Sequence, residues 1–263
     1  MIKSLKRTAF NSYYIKSVLT LIKYAIKVEY NRSFLGLIWV AIKPCIYVIL
    51  FGFTMPLIFG FEAKNYPLFI ASNFITWGFI VSTLTSSGTL VGKSSFINNK
   101  IVSKTTFVAV NMGKQFTIYL ISIVFSCALS YIICQVSPTW HILLLPIYLF
   151  GLFLAMFSIS MALNFIYPYT QDFAYIIELS VPFLMWISPV MYHYDFITNH
   201  KIKMIMDINP LVTLMMPITN LIYDQKLPSF TLNISYLICL FGIVSISLII
   251  YLFLRKRVVF YLN

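Results

Sequence analysis

Residues Leu35–Gly60 read LGLIWVAIKPCIYVILFGFTMPLIFG, and the only charge among these 26 residues is Lys43. A helix rises about 1.5 Å per residue and the bilayer hydrocarbon is about 30 Å thick, so a run of this length and apolarity is long enough to cross a membrane. Moving outward, five more runs satisfy the same condition: Leu68–Val91, Phe107–Cys134, Ile142–Tyr167, Phe173–Tyr192 and Leu232–Leu254. The expected fold class is therefore an all-α integral membrane protein with six transmembrane helices. Composition points the same way. Of 263 residues 60% are hydrophobic and 10% charged, whereas a soluble domain is roughly half apolar and a quarter charged. A soluble globule is excluded by that balance, and no length remains for a separate cytosolic catalytic domain.

The net charge of +12 would suggest nucleic acid in a soluble protein. Here it reads as cytoplasmic loops and anionic headgroups, with no nucleic-acid partner expected. Basic residues crowd one face: Lys3, Lys6, Arg7, Lys16, Lys23, Lys27 and Arg32 before the first span; Lys93, Lys100, Lys104 and nearby Lys114 around the second loop; Arg255, Lys256 and Arg257 after the last span. The opposite face has Lys64, Lys201, Lys203 and Lys226. Positive charge stays inside, so both termini are expected in the cytoplasm. The loop around Pro168–Asp172 carries no basic residue and follows from alternation alone. The basic arm lacks a cleavable leader pattern, so no removed signal peptide is expected.

Before the first span, Tyr14–Tyr30 has helical periodicity. Lys16, Thr20, Lys23 and Lys27 form a narrow polar stripe opposite Ile15, Val18, Leu19, Ile22 and Ile26, as in a helix lying in the headgroup plane with snorkelling lysines. Beyond the fifth span, the apolar part of Asp195–Phe230 is too short to cross and is broken by Pro217. It is expected to be a helix pair, Lys201–Met206 and Leu211–Tyr223, re-entering from outside. Residues 1–263 thus form a single transmembrane domain: 1–33 an arm with the interfacial helix, 34–192 spans one to five, 193–231 an extracytoplasmic region, and 232–263 the sixth span and tail.

Motifs for chemistry are wanting. Gly88-Thr89-Leu90-Val91-Gly92-Lys93-Ser94 approaches a phosphate loop, but its glycines are one residue too close and it ends a span. His141, His193 and His200 each sit near an outer boundary, and no His-Glu-x-x-His occurs, so neither catalytic nor metal residues are expected. Tyr192-His193-Tyr194-Asp195 reads as a polar and aromatic interface loop. Cys45, Cys127, Cys134 and Cys239 lie in apolar stretches and read as small packing residues. Ser122, Ser126 and Ser130 recur every four residues, a small-residue face for close helix packing. Two ionisable residues lie inside spans, where burial makes them functional candidates: Lys43 in the first and Glu178 in the fifth. The aromatics Trp39, Tyr47, Tyr175 and Trp186 on these two spans either face lipid and core or line a path on which sugar rings stack.

The segment Tyr30-Asn31-Arg32-Ser33-Phe34-Leu35-Gly36-Leu37-Ile38-Trp39, followed by Lys43-Pro44, resembles the opening of the permease subunits of ABC-2 type polysaccharide exporters. Tyr66-Pro67-Leu68-Phe69-Ile70 with Trp77, Asn99-Lys100-Ile101-Val102, Asp172, Ser188-Pro189-Val190-Met191-Tyr192 and Asn209-Pro210-Leu211 follow in the family's order. One departure is Gln171-Asp172 where the family often has Arg-Asp. The resemblance implies a permease that pairs with itself and with two copies of a separate ATPase. Such a permease exports a polysaccharide linked to undecaprenyl diphosphate, either O-antigen, capsule or a teichoic-acid-like polymer, across the inner membrane. ATP and magnesium would sit on the partner, leaving no cofactor on this chain. It further implies substrate entrance at Arg32, Ser33, Leu35 and Gly36, a channel wall at Trp39, Pro44, Ser188 and Pro189, and an outer gate at Asn209 and Pro210.

A diphosphate needs cations and backbone donors at such an entrance, and Gly36 would let amides approach it closely. The loop Ser95–Thr106 is expected to form a short helix against the ATPase, with Phe96 and Ile97 as apolar anchors and Lys100 and Lys104 as charges. A drug- or lipid-exporting permease of the same topology and a membrane glycosyl- or acyltransferase are the other classes considered.

Overall fold

The computed structural model of the chain describes residues 2–31, 33–60, 64–88, 104–167 and 172–254. The described residues form helices joined by short turns: α1 (Ile2–Tyr30), α2 (Trp39–Phe59), α3 (Tyr66–Gly88), α4 (Lys104–Cys134), α5 (Leu145–Ile166), α6 (Asp172–Ile187), α7 (His200–Ile208), α8 (Pro210–Ile222) and α9 (Phe230–Leu254). Single 3₁₀ turns, Gly36–Ile38 and Trp140–Leu144, lead into α2 and α5.

Five stretches among the described residues are long and apolar enough to cross a membrane: Gly36–Phe59, Tyr66–Ser87, Thr105–Cys134, Trp140–Ile166 and Phe230–Leu254. They coincide with five of the six expected spans. The expected fifth span, Phe173–Tyr192, differs. Its helix α6 has 16 residues, about 24 Å, and ends at Ile187 because the residue before a proline avoids helical backbone and Ser188 precedes Pro189. Where the re-entrant pair was expected stand two helices, α7 and α8, bent by 94° at Asn209.

The spans assemble around α3, which packs against α2, α4, α5, α6 and α8. In hydrocarbon every polar group needs a protein partner, and α3 finds its own. Thr76 shares a 2.8 Å hydrogen bond with Tyr119 of α4, Ser87 one of 2.8 Å with Ser160 of α5, and Asn73 Oδ1 accepts from Thr219 of α8 at 2.8 Å. The serine stripe of α4 packs as expected: all three are buried, Ser122 donating to the Val40 carbonyl and Ser130 to that of Pro67. All four cysteines are free.

Helix α1 extends further toward the N-terminus than the Tyr14–Tyr30 periodicity suggested. It rests on α4 through a 2.7 Å ion pair between Glu29 and Lys114, a 3.0 Å hydrogen bond between Tyr14 and Thr106, and the close approach of Ile22 to Gly113. Lys16, Lys23 and Lys27 stay exposed on another face.

Candidate functional site

Trp39, Lys43 and Tyr47 are spaced by four residues and share one face of α2. With Pro44 they line a cleft of about 210 Å³. Across from them α3 presents Phe74, Gly78 and Ser82, again four apart, while α4 adds Gln115, Tyr119 and Ser122, and Tyr30 stands at the end of α1. A Cβ placed on Gly78 would meet nothing within 4 Å, so this glycine leaves the cleft open. Tyr47 meets Phe74 edge-on at 5.5 Å and Phe51 face-on at 6.1 Å. Lys43 is exposed and, among the described residues, takes part in no ion pair or hydrogen bond. One unpaired cation, an amide and aromatic rings in an otherwise apolar groove suit an anionic group carried beside flat sugar rings. Gln115, Ser82 and Tyr30 were not singled out from sequence; Gln115, a polar side chain in an apolar run, was the available signal.

The expected entrance precedes this cleft. Arg32 lies outside the described residues. Ser33 closes a turn on the Tyr30 carbonyl at 3.2 Å, and Gly36 one on Ser33 at 3.1 Å. Gly36 has φ +54° with open space where a Cβ would be. That left-handed conformation favours glycine, although Gln135 and Gln225 adopt it as well. Leu35 caps the 3₁₀ turn into α2.

The remaining expected wall does not join the cleft within one chain. Tyr175, Glu178 and Trp186 lie on the outward face of α6, exposed, and in that helix only Ile177 is buried. Ser188 and Asn209, one assigned to the wall and the other to the gate, do meet: Asn209 Nδ2 donates to the Ser188 hydroxyl at 2.9 Å, both buried. Asn209 Oδ1 also accepts from the Leu211 amide at 3.0 Å, capping α8, where Pro210 takes the first helical position that needs no N–H.

Pro189 reaches a second cavity of about 140 Å³, shared with Asn73, His193, Tyr194, Asp195, Thr219 and Asp224. There the His193 imidazole stands 3.4 Å from Asp195 and 3.5 Å from Asp224. Asp224 joins the Tyr192–Asp195 loop from far along the chain, a proximity the sequence gave no hint of. Tyr194 donates to Asp207 at 2.6 Å; that bond first, then burial and the charges of Asp207 and Asp195, push its phenol up to about 12.

Of the expected ATPase-facing residues, Phe96, Ile97 and Lys100 lie outside the described residues, as does the side chain of Lys104. Lys104, Thr105 and Thr106 form the first turn of α4 rather than the end of a separate loop helix.

The fold defines a multi-pass helical membrane protein with a mostly apolar cleft between α2, α3 and α4. No family model matches the chain. The chain is 22% identical over 225 residues to an O-antigen export system permease protein RfbA of Klebsiella pneumoniae, with 82% of each chain covered. It is 21% identical over 221 residues to the protein of that name in Myxococcus xanthus, covering 80% of this chain and 82% of the relative. A second Klebsiella pneumoniae permease is 23% identical over 221 residues, covering 81% and 82%. These relatives carry the resemblance to permease subunits of ABC-2 type polysaccharide exporters along about four fifths of the chain.

Proposed function

We propose that this chain is the membrane permease of an ATP-driven exporter that moves undecaprenyl-diphosphate-linked polysaccharide, O-antigen foremost, across the bacterial inner membrane. Two copies form the permease, both termini face the cytoplasm, and two copies of a separate ABC ATPase supply the energy, with ATP and magnesium bound there. In this reading α1 lies along the cytoplasmic headgroups with its lysines in anionic lipid, and α7 and α8 gate the outer end through Asn209 and Pro210. Phe96, Ile97, Lys100 and Lys104 meet the ATPase. The whole chain, 1–263, acts as one transmembrane domain.

The observation that carries the reading is the cleft beside α2. A diphosphate cannot cross hydrocarbon bare; Arg32 and the Ser33–Gly36 backbone would receive it, and Lys43 stands one turn into α2. The glycan following it needs surfaces that stack without holding, which Trp39 and Tyr47 offer. No residue in the cleft is asked to make or break a bond, so the chain is a transport subunit rather than an enzyme.

Arg32→Lys tests the entrance. Topology needs only a charge, whereas a diphosphate held in two places needs the guanidinium fork. Gly36→Val would not discriminate, since the positive φ there would strain a branched side chain whatever binds. In proteoliposomes with the ATPase, Arg32→Lys and Lys43→Gln should each lower polymer export at least about tenfold at equal membrane levels. ATP hydrolysis should be stimulated by lipid-linked glycan and not by apolar drugs. Normal export by both variants, or stimulation by drugs alone, would refute the assignment.

A further inference from the structure

Charges inside the described spans are few. Lys114 is paired with Glu29; α3, α5 and α9 contain none. Away from helix ends that leaves Lys43 on α2 and Glu178 on α6, both exposed and neither in an ion pair or hydrogen bond among the described residues. Charges at membrane depth sit where they meet an opposite charge or water.

Their surroundings are equally lopsided. Helix α6 is shorter than a crossing and buries one residue, while Tyr175, Leu179, Phe183 and Trp186 remain 62–72% exposed around Glu178. Such a face, interrupted by a carboxylate, is poorly suited to lipid. The α2 face carrying Lys43 is likewise open, with Ile46, Ile49, Leu50 and Phe53 about half exposed.

Helix α3 serves as a common ruler. Tyr47 rings against Phe74 of α3, so Lys43, one turn earlier on the opposed helix, stands level with Gly78, which lines the same cleft. On α6, Ile177 and Val181 on either side of Glu178 cluster with Leu84 of α3. The two charges therefore differ in depth by about six residues of α3, roughly 9 Å. The flexible four-carbon stem of lysine and the glutamate side chain, extended toward each other, cover that gap. In a two-fold assembly with its axis along the membrane normal, depth is shared by both copies and each contact occurs twice. Opposite charges whose side chains can span the offset in depth, on two open faces, meet that condition.

We infer that Lys43 of one copy pairs with Glu178 of a second copy, and reciprocally, holding the open face of α2 against that of α6. The inference rests on the homodimer of the export reading and adds the residues that set its register. The pairing also brings Trp39 and Tyr47 of one copy toward Tyr175 and Trp186 of the other, uniting the aromatics that a single chain keeps apart.

Charge exchange tests it in full-length protein reconstituted into anionic-lipid nanodiscs. Lys43→Glu and Glu178→Lys should each lower dimer affinity at least about tenfold, and the two reversals in one chain should restore it. A photo-reactive side chain at position 43, in a mixture of isotopically heavy and light copies, should cross-link to α6 between copies. Failure of the double reversal to restore the dimer, or a cross-link confined within one copy or reaching its own basic tail, would overturn the pair. Export is read on Arg32→Lys, which leaves Lys43 and Glu178 in place: normal export there counts against the export reading without touching the pair, whereas failure of the double reversal to restore the dimer counts against the pair alone.

Discussion

Helices α3 and α9 differ in the opposite sense from what a soluble protein would lead one to expect. Along their crossing segments α3 is 67% buried and α9 is 6% buried, yet α9 is the more apolar. In water the buried helix is the greasy one; in a bilayer the solvent itself is apolar, so greasiness marks exposure. Buried α3 can therefore carry Ser72, Asn73, Thr76, Thr83 and Ser87, each nearly inaccessible, because neighbouring helices or its own carbonyls receive their hydrogens. Helix α9, which buries only Tyr236 and Ser247, has lipid for a neighbour and few polar groups to satisfy.

That contrast fails if matched truncations on the two helices cost the same. Trp77 of α3 is 4% exposed, and Trp77→Ala should lower stability by about 3–5 kcal/mol, as large buried aromatics do when a cavity is left behind. Phe241→Ala on α9, at 76% exposed, should fall within about 0.5 kcal/mol. Thermal unfolding in nanodiscs measures both, and equal losses would remove the distinction.

A smaller effect sharpens it at a place where α9 is held tightly. A Cβ on Gly151 of α5 would collide with the Tyr236 hydroxyl, which donates to the Tyr148 carbonyl at 2.9 Å. Gly151→Ala should cost about 1–3 kcal/mol through this displacement. Tyr236→Phe in the same background should recover part of it, and additive losses would show that the two residues do not meet.

The smallest effect lies outside the spans. Tyr194→Phe removes a hydrogen bond to exposed Asp207 and should cost less than about 1 kcal/mol. Because the Tyr194 phenol is raised above its usual 10 to about 12, its contribution is intact below pH 10 and disappears as pH rises through about 12. The ultraviolet difference titration between the two proteins should show one tyrosine ionising near 12; ionisation near 10 would contradict the bond.

Much of this fold was legible because crossing length and apolarity are properties of a contiguous run. Five spans and the outer helix pair could be read from Leu35–Gly60 and its counterparts without knowing any neighbour. The end of α6 was legible too, in Ser188-Pro189, but apolarity through Tyr192 masked the proline. Pairings between distant residues left no trace: Asn73 with Thr219, His193 with Asp224, Glu29 with Lys114. The α2 half of the candidate site was readable from the spacing of Trp39, Lys43 and Tyr47; the side chains opposing it on α3 and α4 were not, because helix order does not fix which faces meet. Gly36 could not be read further from sequence, since a glycine that admits a ligand and one that permits positive φ are written with the same letter.

Asn209 stands at the 94° corner between α7 and α8, with one end of its amide on the α8 backbone and the other on Ser188 at the foot of α6. The elbow and its fastening are thus a single side chain. A hinge made this way cannot swing by bending alone: α8 turns only if it carries the end of α6 along or releases a buried hydrogen bond. A displacement of the end of α6 would therefore reach α8 through one amide.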